Sequence, residues 1–434
     1  MSMPEFIVEG GTPLHGRVRP AGNKNAVLPI LCAALLTDEP VTLENVPDIA
    51  DVRTLISLIE RLGVEIDGPA DHTVQIRARR VDGAPLDREL AEQIRASILL
   101  AGPLLARTGD VLLPPPGGDV IGRRRVDTHF EALAGLGARI TMEDGYRFVG
   151  PRLQGADLFL DEPSVTATEN AIMAATLASG TTRIRNAAAE PHVQDLCRML
   201  TTLGARIDGV GTHVLEIEGV DRLGGGRFRV SSDHIEVGSF IGLAAATGGE
   251  IIIEDAAAEH LDAILLAFER LGVHCESQGG DLRVPANQEL EIRMDLGGHV
   301  PKIDDGPWPA FPADLTSIAL VVATQCAGTV LIHEKMFESR MYFADKVIGM
   351  GARIVVCDPH RAVVVGPSRL YGGVVESPDI RAGMALLIAA LSAEGTTRLR
   401  NIGQIERGYE RIDERLRSLG AHIERRGDNG EEGS

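Results

Sequence analysis

The sequence predicts an α/β protein assembled from one helix-and-strand unit that is copied six times. The first observation is an amphipathic helix that ends in an apolar residue and a glycine and runs directly into a strand; it recurs with Gly63, Gly137, Gly204, Gly272, Gly351 and Gly420. The second is a helix of small apolar residues, which precedes each of these helices at residues 26–36, 97–106, 171–178, 240–246, 315–323 and 384–391. A period of roughly 65 to 80 residues is too long for a solenoid unit and too regular for chance.

The third copy shows the order of elements most clearly. Its pattern predicts an apolar helix at 169–178, a strand at 181–185, an amphipathic helix at 193–203 and strands at 206–208, 214–217 and 227–230. The apolar helix has no polar face and should be buried, whereas Gln194, Asp195 and Arg198 give the second helix a face toward solvent. Each domain is therefore expected to enclose three buried helices within sheets and outer helices.

The sixth copy ends soon after its second helix, at 421–425, and lacks its final strands. Strand-like segments at 6–10 and 16–19 match, in type and position, the segments 215–219 and 226–230 of the third copy. We therefore expect the N-terminal segment to complete the last copy. This predicts one domain at 24–235, a second formed by 1–23 and 236–425, and a disordered tail at 426–434, which is charged and rich in glycine.

Composition argues against several classes of protein. The net charge of −19 and the aromatic content of 3% disfavour a nucleic-acid partner. Five cysteines without paired or metal-ligand spacing fit a reducing compartment. The N-terminus lacks a signal-peptide pattern, and the apolar runs are too short for a membrane span. A cytoplasmic protein without a membrane or nucleic-acid partner is expected.

Four of the apolar helices carry a charge in or beside the first turn, namely Lys24, Arg95, Asp314 and Arg381. A helix N-terminus presents unpaired N–H groups and the positive end of the helix dipole, which favour anions. If the buried helices of a domain run parallel, their N-termini converge on a face suited to phosphate and carboxylate groups. Asp314 would be kept ionised there and could accept a proton from a hydroxyl. Each of these residues alone is also consistent with a solvated cap.

Residues 114–125 combine prolines and glycines with Asp119 and three arginines, and they have little to bury. Such a segment is expected to be mobile. A mobile basic loop beside an anion-binding face predicts a lid that closes on substrate and excludes water. A solvated hairpin with a run of charges is the alternative. The chain has no Gly-Lys-Ser/Thr phosphate-loop signature, which disfavours ATP chemistry.

Together these segments resemble the enolpyruvyltransferase family over nearly the whole chain. The matching stretches are 24–29, 95–97, 117–122, Arg124 with 126–127, 167–170, 311–314, 337–340, 379–382 and 407–411. The resemblance implies a two-domain inside-out α/β barrel with six βαβαββ-like repeats, three in each domain, which agrees with the architecture predicted above. It is strongest to the members that use UDP-N-acetylglucosamine as acceptor.

The resemblance also implies roles for individual residues. Those expected to be catalytic are Lys24, Asp119, Asp314 and Arg407. Those expected to bind substrate are Asn25, Arg95, Arg124, Val126, Asp127, Ser164, Val165, Arg340, Asp379 and Arg381. Lys24, Arg124 and Arg407 would hold the phosphate and carboxylate of phosphoenolpyruvate, because such cations, and guanidinium groups above all, suit both anions.

The remaining residues divide between the sugar nucleotide and the cleft. Asn25 and Arg95 would line the sugar-nucleotide side, and Arg340 and Arg381 would complete the cationic cleft. The residues expected to contact the nucleotide are Val126, Asp127, Ser164 and Val165.

The implied reaction transfers the enolpyruvyl group of phosphoenolpyruvate to the 3-hydroxyl of UDP-N-acetylglucosamine and releases phosphate, as the first committed step of peptidoglycan synthesis. Asp314 would accept the hydroxyl proton while C3 of phosphoenolpyruvate is protonated. The two substrates are the expected partners, and no metal or cofactor is expected. The resemblance thereby associates the protein with cell-wall biogenesis, cell shape and cell division.

Asp119 departs from the family pattern, because most members carry a cysteine at this place in the loop. A thiol is protonated at neutral pH, whereas an aspartate ordinarily is not. Closure of the loop over a dianionic phosphate favours the protonated form of Asp119 through like-charge repulsion and desolvation, which would let it act as the general acid. The sequence therefore predicts activity, no thioether with substrate, and resistance to fosfomycin, an epoxide that alkylates the loop cysteine.

Three smaller departures lie near the sugar nucleotide: Arg125 replaces a usual proline, Thr166 a common glycine and Trp308 a frequent histidine. They leave open an acceptor that is a different nucleotide. A shikimate-pathway activity is disfavoured, because the chain lacks the Gly-Asn-Ala-Gly-Thr run of that branch. A catalytically silent binder of cell-wall precursors is the third alternative, although retention of Lys24 and Asp314 argues against it.

Overall fold

A computed structural model describes residues 4–82, 85–119 and 121–427 and divides the chain into two compact units. Unit N comprises Gly22–Asp119 and Arg124–Ser231, and unit C comprises Met1–Ala21, Val120–Arg123 and Ser232–Ser434. Each unit has its own hydrophobic core. Most of the predicted tail, residues 428–434, and Val120 of the predicted loop lie outside the described residues.

The strands and helices follow in chain order. The strands are β1 (Glu5–Glu9), β2 (His15–Val18), β3 (Val41–Glu44), β4 (Glu65–Ala70), β5 (Thr73–Arg77), β6 (Asp110–Leu113), β7 (Arg139–Glu143), β8 (Gly145–Val149), β9 (Asp157–Phe159), β10 (Thr181–Arg185), β11 (Arg206–Asp208), β12 (Val214–Glu218), β13 (Gly226–Arg229), β14 (Glu250–Ile253), β15 (Glu276–Gln278), β16 (Asp281–Val284), β17 (Lys302–Asp304), β18 (Gly328–His333), β19 (Arg353–Asp358), β20 (Arg361–Gly366), β21 (Val374–Glu376), β22 (Thr396–Arg400) and β23 (His422–Arg426). The α-helices are α1 (Lys24–Ala33), α2 (Ala50–Glu60), α3 (Arg88–Ala91), α4 (Ala101–Thr108), α5 (Asp127–Gly135), α6 (Val165–Thr176), α7 (Pro191–Thr202), α8 (His234–Thr247), α9 (Asp262–Arg270), α10 (Thr316–Ala323), α11 (Ala344–Gly349), α12 (Ile380–Ser392), α13 (Gly403–Glu406) and α14 (Ile412–Ser418). Short 3₁₀ turns lie at Ala34–Leu36, Arg95–Leu100, Ala258–His260, Ala313–Leu315 and Arg340–Phe343.

The described strands form six sheets, five of which share one pattern. The four-stranded sheets have the orders β13-β3-β5-β4, β9-β10-β12-β11, β2-β14-β16-β15, β17-β18-β20-β19 and β21-β22-β1-β23, and the sixth sheet is β6-β8-β7. In each four-stranded sheet the first pair is parallel and the other pairs are antiparallel. In the third copy, α6 is the crossover that the parallel pair β9–β10 requires, α7 connects β10 to β11, and β11 and β12 form an antiparallel hairpin.

The two N-terminal strands, β1 and β2, join different sheets of unit C. β1 lies between β22 and β23, with Glu9 opposite Thr396 and His422, so this strand completes the sixth copy as predicted. β2 pairs in parallel with β14 of the fourth copy, just as β13 of the third copy pairs in parallel with β3 of the first, so the predicted match of 16–19 to 226–230 is confirmed. The predicted start of the tail was wrong at Arg426, because this residue ends β23 and pairs with Glu5.

The predicted apolar helices are buried in both cores. Every residue of α12 from Ile380 to Leu391 is buried, and so is all of α10. The amphipathic helices end as predicted at glycines whose φ is positive, for example 106° at Gly204 and 109° at Gly351. A single residue with positive φ ends a helix, and glycine adopts this conformation without a steric penalty. The strand can therefore begin immediately.

A further feature that recurs between copies is an asparagine with positive φ directly after a central strand. Asn45, Asn186 and Asn401 adopt φ values of 59°, 58° and 57° directly after β3, β10 and β22. Each side-chain amide donates to a carbonyl near the end of the parallel neighbour strand, at 2.9, 2.9 and 2.8 Å. This bond holds the parallel pair together where the chain leaves the sheet.

Candidate active site

Asp314 lies at the centre of a charged cluster in unit C. It occupies the 3₁₀ turn that leads into α10. The Arg340 guanidinium donates through Nη1 to Asp314 Oδ1 at 3.0 Å and to the Ala313 carbonyl at 2.9 Å. Arg381, in the first turn of α12, donates through Nε to Asp314 Oδ2, also at 3.0 Å. Both carboxylate oxygens are thus held by cations.

The two arginines of this cluster are almost completely buried. Burial acts against the charged form of Arg381, but Asp314, Tyr409 and Asp233 together outweigh it, and the pKa of Arg381 lies above its ordinary value. The guanidinium lies over the ring of Tyr409, 5.5 Å from the centroid, and the Tyr409 hydroxyl is 2.8 Å from the Ser239 hydroxyl. Arg381 is therefore a permanent cation in one fixed orientation.

Asp379 and Arg407 lie on neighbouring elements of the same unit. Asp379 caps α12, because its Oδ1 accepts hydrogen bonds from the backbone N–H groups of Arg381 and Ala382, each at 2.9 Å. This contact fixes the helix turn from which the Arg381 side chain projects. Arg407 is the C-cap residue directly after α13 and donates to Gln404 Oε1 at 2.9 Å.

Glu334 is a buried carboxyl beside this cluster that the sequence analysis did not identify. Its Oε1 accepts from the Phe337 N–H at 3.2 Å, whereas no hydrogen bond of good geometry reaches the buried Oε2 from the described residues. Burial raises the pKa of Glu334 to about 9; the charge of Arg340 opposes this, and the carboxylate of Asp305 adds to it. Glu334 is therefore protonated at neutral pH.

His234, His260 and Trp308 form an aromatic group at the start of α8. Their ring centroids lie 6.2 to 6.3 Å apart in edge-to-face pairs. Burial, together with the charges of His260 and Arg381, lowers the pKa of His234 to about 3. The imidazole at this helix start is therefore neutral, and Trp308 packs against it.

Lys24 in unit N forms a buried ion pair. It is the first residue of α1, whose cap is Asn23, and its Nζ lies 2.9 Å from Oδ2 of Asp51 in the first turn of α2. Both side chains are more than nine-tenths buried. Asn25 follows in the same turn, and its backbone N–H donates to the Asn23 side chain at 2.9 Å. The sequence pattern indicates Lys24 but not its partner Asp51.

The side chain of Arg95 binds the backbone at the end of the loop 114–125. Its Nη2 donates to the backbone carbonyls of Arg124 and Arg125, both at 2.9 Å. Burial, and then the positive charge of Arg124, lower the pKa of Arg95 to about 10. Arg95 therefore remains a cation at neutral pH while it fixes the backbone from which the Arg124 side chain projects.

The residues expected to contact the nucleotide lie at two helix starts of unit N. Val126 precedes α5 and Asp127 begins it, while Ser164 precedes α6 and Val165 begins it. Arg125 pairs with Asp127 at 3.1 Å and with Asp161 at 2.8 Å. The arginine that replaces a proline is thus engaged by carboxylates of its own unit.

Ile121 and Arg123, which follow Asp119 in the loop, belong to unit C and make backbone contacts within that unit. Gly118 and Gly122 have positive φ values of 103° and 128°. The Arg123 N–H donates to Glu338 Oε2 at 3.2 Å, and the Ser339 N–H donates to the Ile121 carbonyl at 3.1 Å. Residues 121–123 belong to the same compact unit as these partners.

Three of the predicted charged residues lie at helix starts: Lys24 in unit N, and Asp314 and Arg381 in unit C. In unit C, Asp314, Arg340 and Arg381 are in direct contact, which brings the starts of α10 and α12 together. No group of three or more His, Cys, Asp or Glu side chains within the described ranges is placed to hold a metal ion. No helix in those ranges is both long and apolar enough to span a bilayer.

Solved structures of enolpyruvyl transferases share this fold. The enolpyruvyl transferase NikO from Streptomyces tendae matches with a TM-score of 0.87 and 25% sequence identity, over 98% of this chain and 99% of that chain. EPSP synthase from Acinetobacter baumannii matches with a TM-score of 0.76 and 18% identity, over 98% and 100% of the two chains. The architecture is that of the enolpyruvyl transferases.

A family model described as EPSP synthase (3-phosphoshikimate 1-carboxyvinyltransferase) matches residues 8–416. The chain belongs to this family of transferases. A relative from Bradyrhizobium diazoefficiens, named UDP-N-acetylglucosamine 1-carboxyvinyltransferase, is 60% identical over 425 residues, which cover 98% of this chain and 99% of the relative. A relative of the same name from Treponema denticola is 55% identical over 422 residues, covering 97% and 99%.

Proposed function

We propose that the protein transfers the enolpyruvyl group of phosphoenolpyruvate to the 3-hydroxyl of UDP-N-acetylglucosamine, as a cytoplasmic enzyme of peptidoglycan synthesis. The names of the relatives at 60% and 55% identity support this choice of acceptor. The observation that carries the chemistry is the carboxylate of Asp314, held by two buried guanidinium groups at the start of an apolar helix. A carboxylate fixed in this way is an oriented proton acceptor.

The proposed reaction has two steps. In the first, Asp314 takes the proton of the 3-hydroxyl, a bond forms between that oxygen and C2 of phosphoenolpyruvate, and C3 gains a proton. In the second, the bond from C2 to the phosphate oxygen breaks, C3 loses a proton, and the double bond is restored. Lys24, Arg124 and Arg407 balance the charge of the phosphate and carboxylate groups.

Asp119 is proposed as the acid that protonates C3. A carboxylate brought next to a dianionic phosphate favours its protonated form, and a carboxylic acid then replaces the usual thiol in this role. Because an aspartate is not alkylated as a thiolate is, resistance to fosfomycin forms part of the proposal.

The finer architecture is proposed with the function. The described sheets have two free edges each. We propose that the three buried helices and three sheets of each unit form an inside-out α/β barrel, and that units N and C correspond to the two enolpyruvyltransferase domains predicted at 24–235 and at 1–23 with 236–425. Burial of every residue of α10, and of all but the last one or two residues of α8 and α12, supports this arrangement.

Phosphate release from phosphoenolpyruvate tests the function with three acceptors in parallel: UDP-N-acetylglucosamine, UMP and shikimate 3-phosphate. Release with the first acceptor alone is expected. Release with another acceptor would replace the proposal with the corresponding transferase activity. Tight binding of UDP-N-acetylglucosamine without release would identify a silent binder instead.

Asp314→Asn tests the carboxylate on which the chemistry depends. The amide cannot take the proton, and kcat is expected to fall about 10²- to 10⁴-fold. Asp345→Asn is the matched control, because Asp345 is an exposed carboxylate in the first turn of α11 in the same unit. The control should retain wild-type kcat. An Asp314→Asn variant that is folded and fully active would refute the role of Asp314.

A further inference from the structure

Thr166 stands in the first turn of α6, directly after Ser164 and Val165. It is half-buried, and its hydroxyl is the last member of a chain of hydrogen bonds that begins in the core of unit N. This chain determines the direction in which the hydroxyl can donate.

The chain begins at the close contact between α4 and α6. The Gly102 N–H donates to Asn170 Oδ1 at 2.7 Å, and Asn170 Nδ2 donates to the Ile98 carbonyl at 2.9 Å. A backbone N–H can only donate and a carbonyl can only accept, so the orientation of the amide is determined. The second hydrogen of Nδ2 then points to His129 Nδ1, which is 2.9 Å away. Nδ1 is therefore an acceptor and carries no proton.

His129 passes this constraint on to Thr166. Burial, together with the charge of Arg95, lowers the pKa of His129 to about 3, so the imidazole is neutral and its single proton is on Nε2. Nε2 lies 3.0 Å from Thr166 Oγ1 and donates to it. The hydroxyl proton of Thr166 must therefore point elsewhere. It has no acceptor among the side chains and carbonyls that the structure describes.

The surroundings of this hydroxyl favour an anionic acceptor. The first turn of α6 contains no acidic residue, and the Ser164 side chain does not cap it. The helix dipole adds positive potential at the same turn. A hydroxyl whose lone pair is occupied by an imidazole is a better donor, because hydrogen bonds in a chain polarise one another.

We propose that the Thr166 hydroxyl donates a hydrogen bond to a phosphate oxygen of the acceptor nucleotide, and that His129 is the residue that positions it. The proposal deepens the proposed function, on which its choice of a nucleotide ligand rests. It gives Thr166, which stands where glycine is common in the family, a direct role in acceptor affinity.

Thr166→Val tests the donor, because valine has nearly the same shape and lacks the hydroxyl. A hydrogen bond to a charged oxygen corresponds to an affinity change of about 10-fold or more. We expect KM and Kd for UDP-N-acetylglucosamine to rise by this factor, with kcat and the KM of phosphoenolpyruvate unchanged. Thr166→Ser should behave as wild type. Thr176→Val is the matched control on the same helix, since the Thr176 hydroxyl donates to the Ile172 carbonyl.

Binding of UDP and of uridine by calorimetry locates the partner oxygen. Thr166→Val should weaken UDP binding about 10-fold and leave uridine binding unchanged. Equal weakening of both ligands would overturn the assignment to phosphate, and unchanged UDP binding would overturn the proposal. Because this measurement needs no turnover, it remains decisive if wild type fails to use UDP-N-acetylglucosamine, an outcome that would refute only the proposed function.

A double-mutant cycle tests the positioning role of His129. His129→Phe should weaken UDP binding when Thr166 is present and have no further effect in the Thr166→Val background. Equal weakening in both backgrounds would show a general structural effect and refute the positioning role. Thermal unfolding of each variant checks that the fold is retained.

Discussion

Glu334→Gln should remove a pH dependence of stability from unit C. The buried carboxyl has its pKa raised from an ordinary value of 4.5 to about 9. Below about pH 4.5 both the folded and the unfolded chain hold the proton. As the pH rises from there toward 9, the unfolded chain ionises and the folded chain does not, so the unfolded chain gains stability. Glu334 therefore lowers the free energy of unfolding progressively across this range.

The magnitude follows from the size of the pH interval. Each pH unit within the range corresponds to about 1.4 kcal/mol, so raising the pH from about 6 to about 8 should cost wild type about 2 to 3 kcal/mol through this residue alone. Glutamine does not ionise, and its carbonyl oxygen can still accept from the Phe337 N–H. The free energy of unfolding of Glu334→Gln, relative to wild type, should therefore increase by this amount over the same interval.

Urea unfolding followed by tryptophan fluorescence measures this difference. The chain has one tryptophan, Trp308, and it lies in the same unit as Glu334. The matched control is Glu289→Gln, which changes an exposed carboxylate of unit C, and its difference from wild type should not vary between the two pH values. Parallel pH curves for wild type and Glu334→Gln would refute the reasoning, because they would mean that Glu334 ionises alike in both states.

Three further predictions test other parts of the molecule. Arg381→Lys keeps the charge but cannot keep both the fork on Asp314 and the stacking on Tyr409, so kcat should fall at least about 10-fold, and an unchanged kcat in steady-state assays would contradict this. Gly204→Ala places a side chain at a φ of 106° with no neighbouring atom within 4 Å, so backbone strain alone should lower the free energy of unfolding by about 1 to 2 kcal/mol. Urea titration measures this change, and an unchanged free energy of unfolding would exclude the strain. Asp119→Cys should retain turnover and become sensitive to fosfomycin, whereas an active variant that stays insensitive would show that Asp119 is not the loop acid.

The sequence predicts the elements well because their signals are local. The positive φ of Gly204 and the absence of charged residues on α10 both follow from a few adjacent residues. The pairing of strands is less predictable. β1 and β2 both come from the N-terminal segment, yet β1 pairs with β22 and β23 of the sixth copy and β2 pairs with β14 of the fourth. The sequence matches the two segments to strands of the third copy, but it does not show which sheet each of them joins.

For the charged residues of the site, the sequence likewise predicts the position of a residue on its helix but not its contact partner. The positions of Lys24 and Arg381 at helix starts are visible in the sequence, but their carboxylate partners are not. Asp51 lies in the first turn of α2, where a carboxylate usually serves only the helix dipole. Its selection as the partner of Lys24 depends on how α1 and α2 pack, and the 2.9 Å contact could be read only from the structure.

The protonation of Glu334 bears directly on how unit C could hold an anion. Asp305, Asp314 and Asp379 already lie around Arg340 or its neighbours. Ionisation of Glu334 would add a further negative charge next to the guanidinium that fixes Asp314, and both the orientation of that carboxylate and the attraction for a phosphate or carboxylate group would weaken. Burial keeps this carboxyl neutral, so the two arginines retain their positive potential even though the chain as a whole carries a net charge of −19. The affinity of such a protein for anions depends on which of its acids stay protonated as much as on how many bases it contains.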